Sequence, residues 1–445
     1  MKNTLKFMPL ALLISGNVYA DSLSEVYNLA KQNDPQLLQA AAQRDSAFEA
    51  INSTRSDLLP QIDLTAGYNY QDTDRHEADG SNTDVSLGLY QSIYDRSSWV
   101  ALSISEKNAR QVDASYAATQ QAVIYQVTEA YFNVLRASDD LEFVRAEKAA
   151  VAKQLHQTEQ MFEVGTAPIT DVQDAKAQYD SVLAQEIQAV NNLENQYEEL
   201  RAITGQQVSD LSVLDIERFS TSMPYLSATE LVQQASKENL QLLAGRIQKD
   251  IAKEQITLAD AGHLPTISLT SGYSYQKNYD MPNDPVTGQK MDDDENLFNL
   301  GISIDLPVYS GGRVTSEGKQ AEFQYIVASQ ELEETFRDVQ KNVRAYNNNI
   351  RSSIGSIDAY KQSVVSAKSA LTATEQGFAV GTRTIVDVLD STQNLYQAEK
   401  NLSDARYQYI LSQIQLKQVL GTLSEQDIFD IDSGLITTAG VQDAD

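Results

Sequence analysis

One segment of this chain is written twice. Phe162-Glu163-Val164-Gly165-Thr166-Ala167-Pro168-Ile169-Thr170-Asp171-Val172 returns as Phe378-Ala379-Val380-Gly381-Thr382-Arg383-Thr384-Ile385-Val386-Asp387-Val388. Adding 216 to the residue number carries Glu159 to Glu375, Phe162 to Phe378, Gly165 to Gly381, Asp171 to Asp387, Asp174 to Asp390 and Gly205 to Gly421 without a gap. The period is too long for a short-repeat solenoid, so the chain is a tandem duplication of one large unit. Every element expected in one half therefore needs a counterpart in the other.

The repeated segment lies at the end of a long helical pattern. Val343, Ile350, Ile357, Val364, Leu371 and Phe378 recur every seven residues, the apolar seam of a coiled coil. Gly381 stops the pattern, and Ile385, Val388 and Leu389 restart it. The spacing predicts a tight helical hairpin with Arg383 at its tip. Asp387 and Asp390 fall on the returning helix and share a face, because i and i+3 are neighbours there. The first copy carries Val127, Val134, Leu141, Leu155 and Phe162 on the same seven-residue frame, interrupted by Lys148.

Long helices are expected over about 97–162 and 313–378, returning over about 169–204 and 385–420. At 1.5 Å per residue the long ones measure roughly 100 Å, more than a bilayer is thick, so most of their length stands in water. Their sides are rich in Gln, Asn, Ser and Ala, which suits either a solvated exterior or the wall of a water-filled interior. Residues 205–226 and 421–445 read as lateral additions of mixed structure, with disorder expected at the very end.

Ahead of each long helix the period changes. A helical pattern from Leu23 to about Arg55 ends at Leu59-Pro60, and Ile62, Leu64, Ala66, Tyr68 and Tyr70 then alternate with polar residues. After an acidic stretch from Asp72 to Thr83, Val85, Leu87, Leu89 and Ile93 alternate again, making a β-hairpin. The second copy repeats it, with Ile267, Leu269, Tyr273 and Tyr275 on one strand and Phe298, Leu300, Ile302, Ile304, Leu306 and Val308 on the next. Between them, Lys277 to Asn296 holds six acids.

A half-buried sheet in a soluble protein would show the same alternation. The length of about ten residues and the tyrosines near strand ends favour strands that span a membrane. Four are too few to close a barrel, and an open edge in lipid leaves backbone groups unpaired, so the chain must oligomerise.

Residues 1–20 have the basic start (Lys2, Lys6), apolar run and small-residue end of a secretory signal peptide. Its removal shifts the net charge from −28 to −30, two lysines fewer against the same acids, and so strong an acidic excess excludes nucleic acid as a partner. With no cysteine there is no disulfide, thiolate metal site or lipidated cysteine, which fits an exported bacterial envelope protein. Enzyme signals are weak throughout: His76, His156 and His263 have no spacing of a metal site or triad, and no metal or other cofactor is expected. Gly311-Gly312 with Gly318-Lys319 misses the phosphate-binding loop pattern.

Val380 to Asp390, Ile169-Thr170-Asp171-Val172-Gln173, Leu58-Leu59-Pro60 and His263-Leu264-Pro265 together resemble the TolC family of outer-membrane efflux proteins, a likeness running from Leu23 through Gln426. The resemblance implies a mainly α-helical homotrimer with a membrane β-barrel. Three sets of four strands would close one 12-stranded barrel in the outer membrane, above a coiled-coil tunnel spanning the periplasm.

It implies an exit duct for multidrug efflux and type I protein secretion. A periplasmic adaptor and an inner-membrane transporter of the RND, ABC or MFS type would dock at the tips, around Gly165, Thr166, Gly381 and Thr382. Arg383 would tie its hairpin to the neighbouring one through Thr170 and Asp171, with Gln154 and Glu375 in the same gate network. Asp387 and Asp390 would form a cation-selective ring of six carboxylates. A gate tyrosine of the family is Phe378 here, so its hydroxyl bond cannot form.

On this basis the chain divides into the signal peptide at 1–20, a first repeat at 21–220 (β-hairpin 61–94, tip 163–171), a second at 221–426 (β-hairpin 265–309, tip 379–387) and a tail at 427–445. Bland alternatives stand beside these roles. Asp387 and Asp390 could simply complement the helix dipole, and Arg383 could be a solvated tip residue. A trimeric coiled-coil surface protein, an adhesin or a phage or toxin receptor anchored by a barrel, is the rival function, but it needs neither the repeated hairpin nor acids at its tip.

Overall fold

A computed structural model describes residues 22–72, 80–279 and 294–436. The expected signal peptide, much of the two acidic loops including His76, and the end of the tail lie outside the described residues. Helices α1 (Leu23–Asn33) and α2 (Pro35–Ser56) lead into strands β1 (Gln61–Gln71) and β2 (Gly80–Tyr94), then α3 (Arg96–Glu163) and the returning α4 (Ile169–Thr204). After a short strand β3 (Val213–Leu214), the second copy runs α5 (Ala228–Glu238), α6 (Leu240–Asp260), β4 (Thr266–Tyr279), β5 (Asp294–Asp305), α7 (Arg313–Ala379) and α8 (Ile385–Leu420). Helix α9 (Glu425–Asp432) and strand β6 (Leu435–Ile436) follow.

The duplication extends to the breaks in the first helices of each copy. Asp34 accepts a hydrogen bond from the Leu37 amide at 2.7 Å, and Asn239 accepts one from the Leu242 amide at 2.9 Å. Both residues are extended, with φ of −64°, so each turns the chain and starts the next helix with its first turn satisfied.

The four long strands form one antiparallel sheet in the order β1-β2-β4-β5. Leu64 stands opposite Leu87, Leu87 opposite Tyr273 and Tyr273 opposite Phe298, so one apolar row crosses all four strands. The other described residues do not cover this row: Leu64 is 72% and Phe298 67% exposed. Two details depart from the alternation. A bulge at Ser92/Tyr94 places Tyr94, rather than Ile93, opposite Ile267. β5 ends at Asp305, leaving Leu306 and Val308 beyond it, because Pro307 has no amide N–H for the ladder.

α3 (68 residues) and α7 (67 residues) are rods of roughly 100 Å. The helices form a layer in the order α4-α3-α8-α7, each long helix packed on its returning partner and α3 on α8. Val127 and Val134 are buried in the first copy and Val343, Ile350 and Ile357 in the second, as the seven-residue frame predicts. Lys148 breaks the frame because it pairs with Glu186 of α4 across the seam. Its ammonium, against the upward push of burial and with a smaller contribution from the more distant Arg145, holds the Glu186 carboxyl below the usual range.

The lateral additions wrap the middle of the layer. α1, α9 and the β3–β6 ladder pack there around Tyr131 and Phe132 of α3, whose rings meet edge to face at 5.8 Å, while α5 packs on α7 and α8 in a second cluster. The Tyr131 hydroxyl donates to the Ser212 carbonyl at 2.7 Å, which pins the segment before β3 onto α3. Among the described residues no helix is long and apolar enough to cross a membrane.

Candidate functional site

The two helical hairpins end in the same turn. At the first tip the Thr166 amide donates to the Met161 carbonyl at 2.8 Å, and the Thr166 hydroxyl donates to the same oxygen at 2.9 Å. At the second, the Thr382 amide and hydroxyl donate to the Gly377 carbonyl at 2.8 and 3.0 Å. Gly165 and Gly381 both have φ of +79°, the left-handed conformation that closes a helix and favours glycine. Val164 and Val380 beside them are 74% and 75% exposed, an apolar pair presented outward at the tips.

The copies differ in what crosses the turn. A Cβ on Gly377 would lie 2.7 Å from Cγ of Arg383, so the glycine makes room for the arginine side chain to fold back over the helix end. In the first copy the corresponding positions are Met161 and Ala167, the large and small residues exchanged. Gly377 was not singled out from the sequence, although its place under Arg383 is a direct consequence of the five-residue closing bond.

On the returning helix Thr384 and Asp387 form a capping box. The Thr384 amide donates to the Asp387 carboxylate at 2.8 Å, and the Asp387 amide donates to the Thr384 hydroxyl at 3.2 Å. The Thr384 amide and then its hydroxyl hold the Asp387 carboxyl below the ordinary carboxylate range, with a smaller contribution from the Arg383 charge. Arg383 approaches Asp387 at 3.9 Å with both side chains substantially exposed. In the first copy the cap position is Pro168, which makes no side-chain cap, and the Thr170 hydroxyl reaches Asp171 at 3.5 Å.

The remaining residues fall in two groups. Gln154, on α3, is buried, and its amide nitrogen donates to the hydroxyl of Thr392 on α8 at 2.9 Å. Glu375 and Asp390 are exposed. Phe378 is half-buried against Val151, Ala175, Ile385, Val388 and Leu389, a cluster that joins both hairpins, whereas Phe162 is 42% exposed. Thr392 was missed in the sequence, where nothing marks one threonine on a helix face as the partner of a glutamine 238 residues away.

Farther from the tips the α3–α8 seam stays polar. The Asp139 carboxylate accepts from the Ser403 and Tyr407 hydroxyls, Lys400 pairs with Asp140, and Arg136 meets Asp404 at 3.2 Å. Burial raises the Asp139 carboxyl above its usual range in spite of the two hydroxyl donors. The outward face of α8 carries Asp387, Asn394, Asn401 and Gln408 seven apart, with Asp390 and Gln397 in a parallel file. Roughly half a turn round the helix, Ile410 packs under the lateral additions and Lys417 pairs with Asp427 of α9. The acidic file is thus on the face opposite the covered one. Among the described residues no group of three or more His, Cys, Asp or Glu side chains could hold a metal ion.

A family model for outer membrane efflux proteins matches residues 26–206 and again 231–422, one match in each copy. The chain belongs to the outer membrane efflux protein family. Among members, Outer membrane protein TolC of Vibrio cholerae is 56% identical over 422 residues, 95% of either chain. The protein of the same name from Escherichia coli is 47% identical over 94% of this chain and 85% of its own. More distant relatives bear the names of protease secretion proteins. The fold agrees: the Campylobacter jejuni CmeC outer membrane channel superposes with a TM-score of 0.78 at 17% identity, covering 99% of this chain and 98% of its own. Outer membrane efflux proteins of this kind reside in the Gram-negative outer membrane, which is where this chain acts.

Proposed function

We propose that the chain is one protomer of a homotrimer, in which three four-stranded sheets close a 12-stranded barrel and three α4-α3-α8-α7 layers close a tunnel beneath it. It is an outer-membrane duct for efflux and secretion. The observation that carries the trimer is the pair of open sheet edges. Among the described residues β1 pairs only with β2 and β5 only with β4, while the apolar row across the sheet is uncovered. An open edge cannot persist in lipid, and with four strands per chain the β5 of one copy meets the β1 of the next antiparallel. The helical layer has matching edges, with Leu183 and Ile187 exposed on α4 and Tyr360 and Val365 exposed on α7.

In such an assembly the lateral additions form the outer girdle and the acidic file of α8 lines the lumen. Asp387 and Asp390 then ring the entrance as six carboxylates, focusing negative potential that favours cations. Arg383 reaches Thr170 and Asp171 of the adjacent hairpin, with Gln154 and Glu375 in the same network, and holds the entrance shut. The tips at Gly165, Thr166, Gly381 and Thr382, with their exposed valines, receive a periplasmic adaptor and an RND, ABC or MFS transporter. The energy comes from that transporter; the chain itself catalyses nothing and needs no cofactor. The two repeats, 21–220 and 221–426, are equivalent units of this wall, and the six repeats of the trimer each span one sixth of the ring.

Single-channel recording in a planar bilayer tests the proposal. A small cation-selective conductance is expected, with selectivity reduced in Asp387→Ala/Asp390→Ala and conductance raised in Arg383→Ser. An unaltered reversal potential under a salt gradient would remove the ring, and an unchanged conductance in Arg383→Ser would remove that residue from the gate.

A further inference from the structure

We infer that Thr392 is the within-chain latch of the entrance, its hydroxyl holding Gln154 and so tying the α7–α8 hairpin to the α3–α4 hairpin. The inference rests on the reading of the tips as a gate. It adds to that reading a residue on the second hairpin and a bond made inside one protomer.

The geometry leaves the pair one way to bond. Thr392 is fully buried, one turn above Val388 and Leu389 of the apolar cluster that joins the two hairpins. Its hydroxyl donates to the Val388 carbonyl at 2.8 Å, so the oxygen can only accept from Gln154, and the amide nitrogen lies 2.9 Å away. This fixes the amide orientation. The other amide atom, Oε1 of Gln154, is then buried without a hydrogen-bond partner among the described residues.

That orphan oxygen sets the character of the latch. The closed seam keeps one good hydrogen bond and leaves one acceptor dry, while parting the helices would hydrate the acceptor and break the bond. The two states are therefore close in free energy at this point, and removing the one bond tips the balance towards opening. Both partners are uncharged and buried, so salt does not screen the contact, whereas the exposed Arg383 acts through charge. Phe378, lacking a hydroxyl, adds only apolar contact to the cluster at the tip end of the seam, and Thr392 supplies the polar hold there.

Four variants of the full-length protein, checked as intact inserted oligomers, separate the possibilities in planar bilayers. Thr392→Val keeps the shape and loses the hydroxyl; it should shift the open-to-closed ratio about five-fold, the weight of one typical hydrogen bond. Thr392→Ser should behave as the parent protein. Gln154→Leu/Thr392→Val, which makes the seam dry on both sides, should close again relative to Thr392→Val. Arg383→Ser reports on the gate itself.

An increase in both Thr392→Val and Thr392→Ser would mean that packing rather than the hydroxyl matters, and would overturn the latch. So would a normal Thr392→Val beside a leaky Arg383→Ser, with the gate reading intact. If neither Thr392→Val nor Arg383→Ser leaks, the gate reading falls and the latch with it.

Discussion

At the scale of single residues the second tip is organised by a threonine and an aspartate. Thr384→Ala removes the hydroxyl that caps α8, a loss of about 1 kcal/mol, so hydrogen exchange of the amides at the start of α8 should quicken about five-fold while the middle of the helix is unchanged. The effect has a defined pH sense. Asp387 has a lowered carboxyl pKa in the folded protein, so its contribution is present above the ordinary carboxylate range and is lost as pH falls through the lowered value. The difference between Thr384→Ala and the parent should therefore persist at neutral pH and shrink in strong acid. The dipole argument places acids in this first turn from sequence alone, and the T-x-x-D spacing is a cap signal of the same kind. Gly377 and Thr392 could not be read that way: one answers to an arginine folding back over it, the other to a helix of the other hairpin.

Among elements, the glycines that end the helices look alike in sequence and differ in what surrounds them. Gly381 has φ of +79° and open space where a Cβ would stand, so Gly381→Ala should cost only the left-handed strain, about 1 kcal/mol. Gly421, with φ of +83°, ends α8 against the corner between α5 and α6. A Cβ there would lie 2.2 Å from the Glu238 carbonyl oxygen and 2.9 Å from Cα of Asn239. Backbone must move to admit it, and Gly421→Ala should cost about 3 kcal/mol, read as a clearly larger drop in the thermal midpoint of the assembled protein than Gly381→Ala gives. The elements themselves were legible because the heptad frame is long and the turn signals strong. Return helices expected over 169–204 and 385–420 are observed at those bounds. The equivalence of Gly205 and Gly421 was legible too. The crowding at Gly421 was not, because it comes from a helix corner nearly two hundred positions earlier.

For the whole molecule, the sheet sets the sharpest test, because its two faces meet different surroundings. Ile302 stands opposite Leu269 on the same face as the apolar row, while the next residue, Ser303, bonds Ser268 through its hydroxyl at 2.7 Å on the other face. If three sheets close a barrel, Ile302 points into lipid and Ser303 into water. Ile302→Arg should then cost about 2–4 kcal/mol in each copy near the bilayer midplane, enough in threefold repetition to prevent insertion. Ser303→Arg should insert normally and alter conductance instead, since a charge inside a water-filled barrel costs little and acts on passing ions. Outer-membrane fractionation with electrophoresis of the unheated assembly, followed by bilayer recording of whatever inserts, reads both effects. Equal tolerance of the two arginines would mean that the apolar face does not meet lipid. The period-two alternation predicts which residue belongs to which face, yet a single sheet with two open edges has no inside. In the proposed trimer, inside and outside arise only when the third copy closes the ring, which is why they are tested at this scale and not at the scale of the strand.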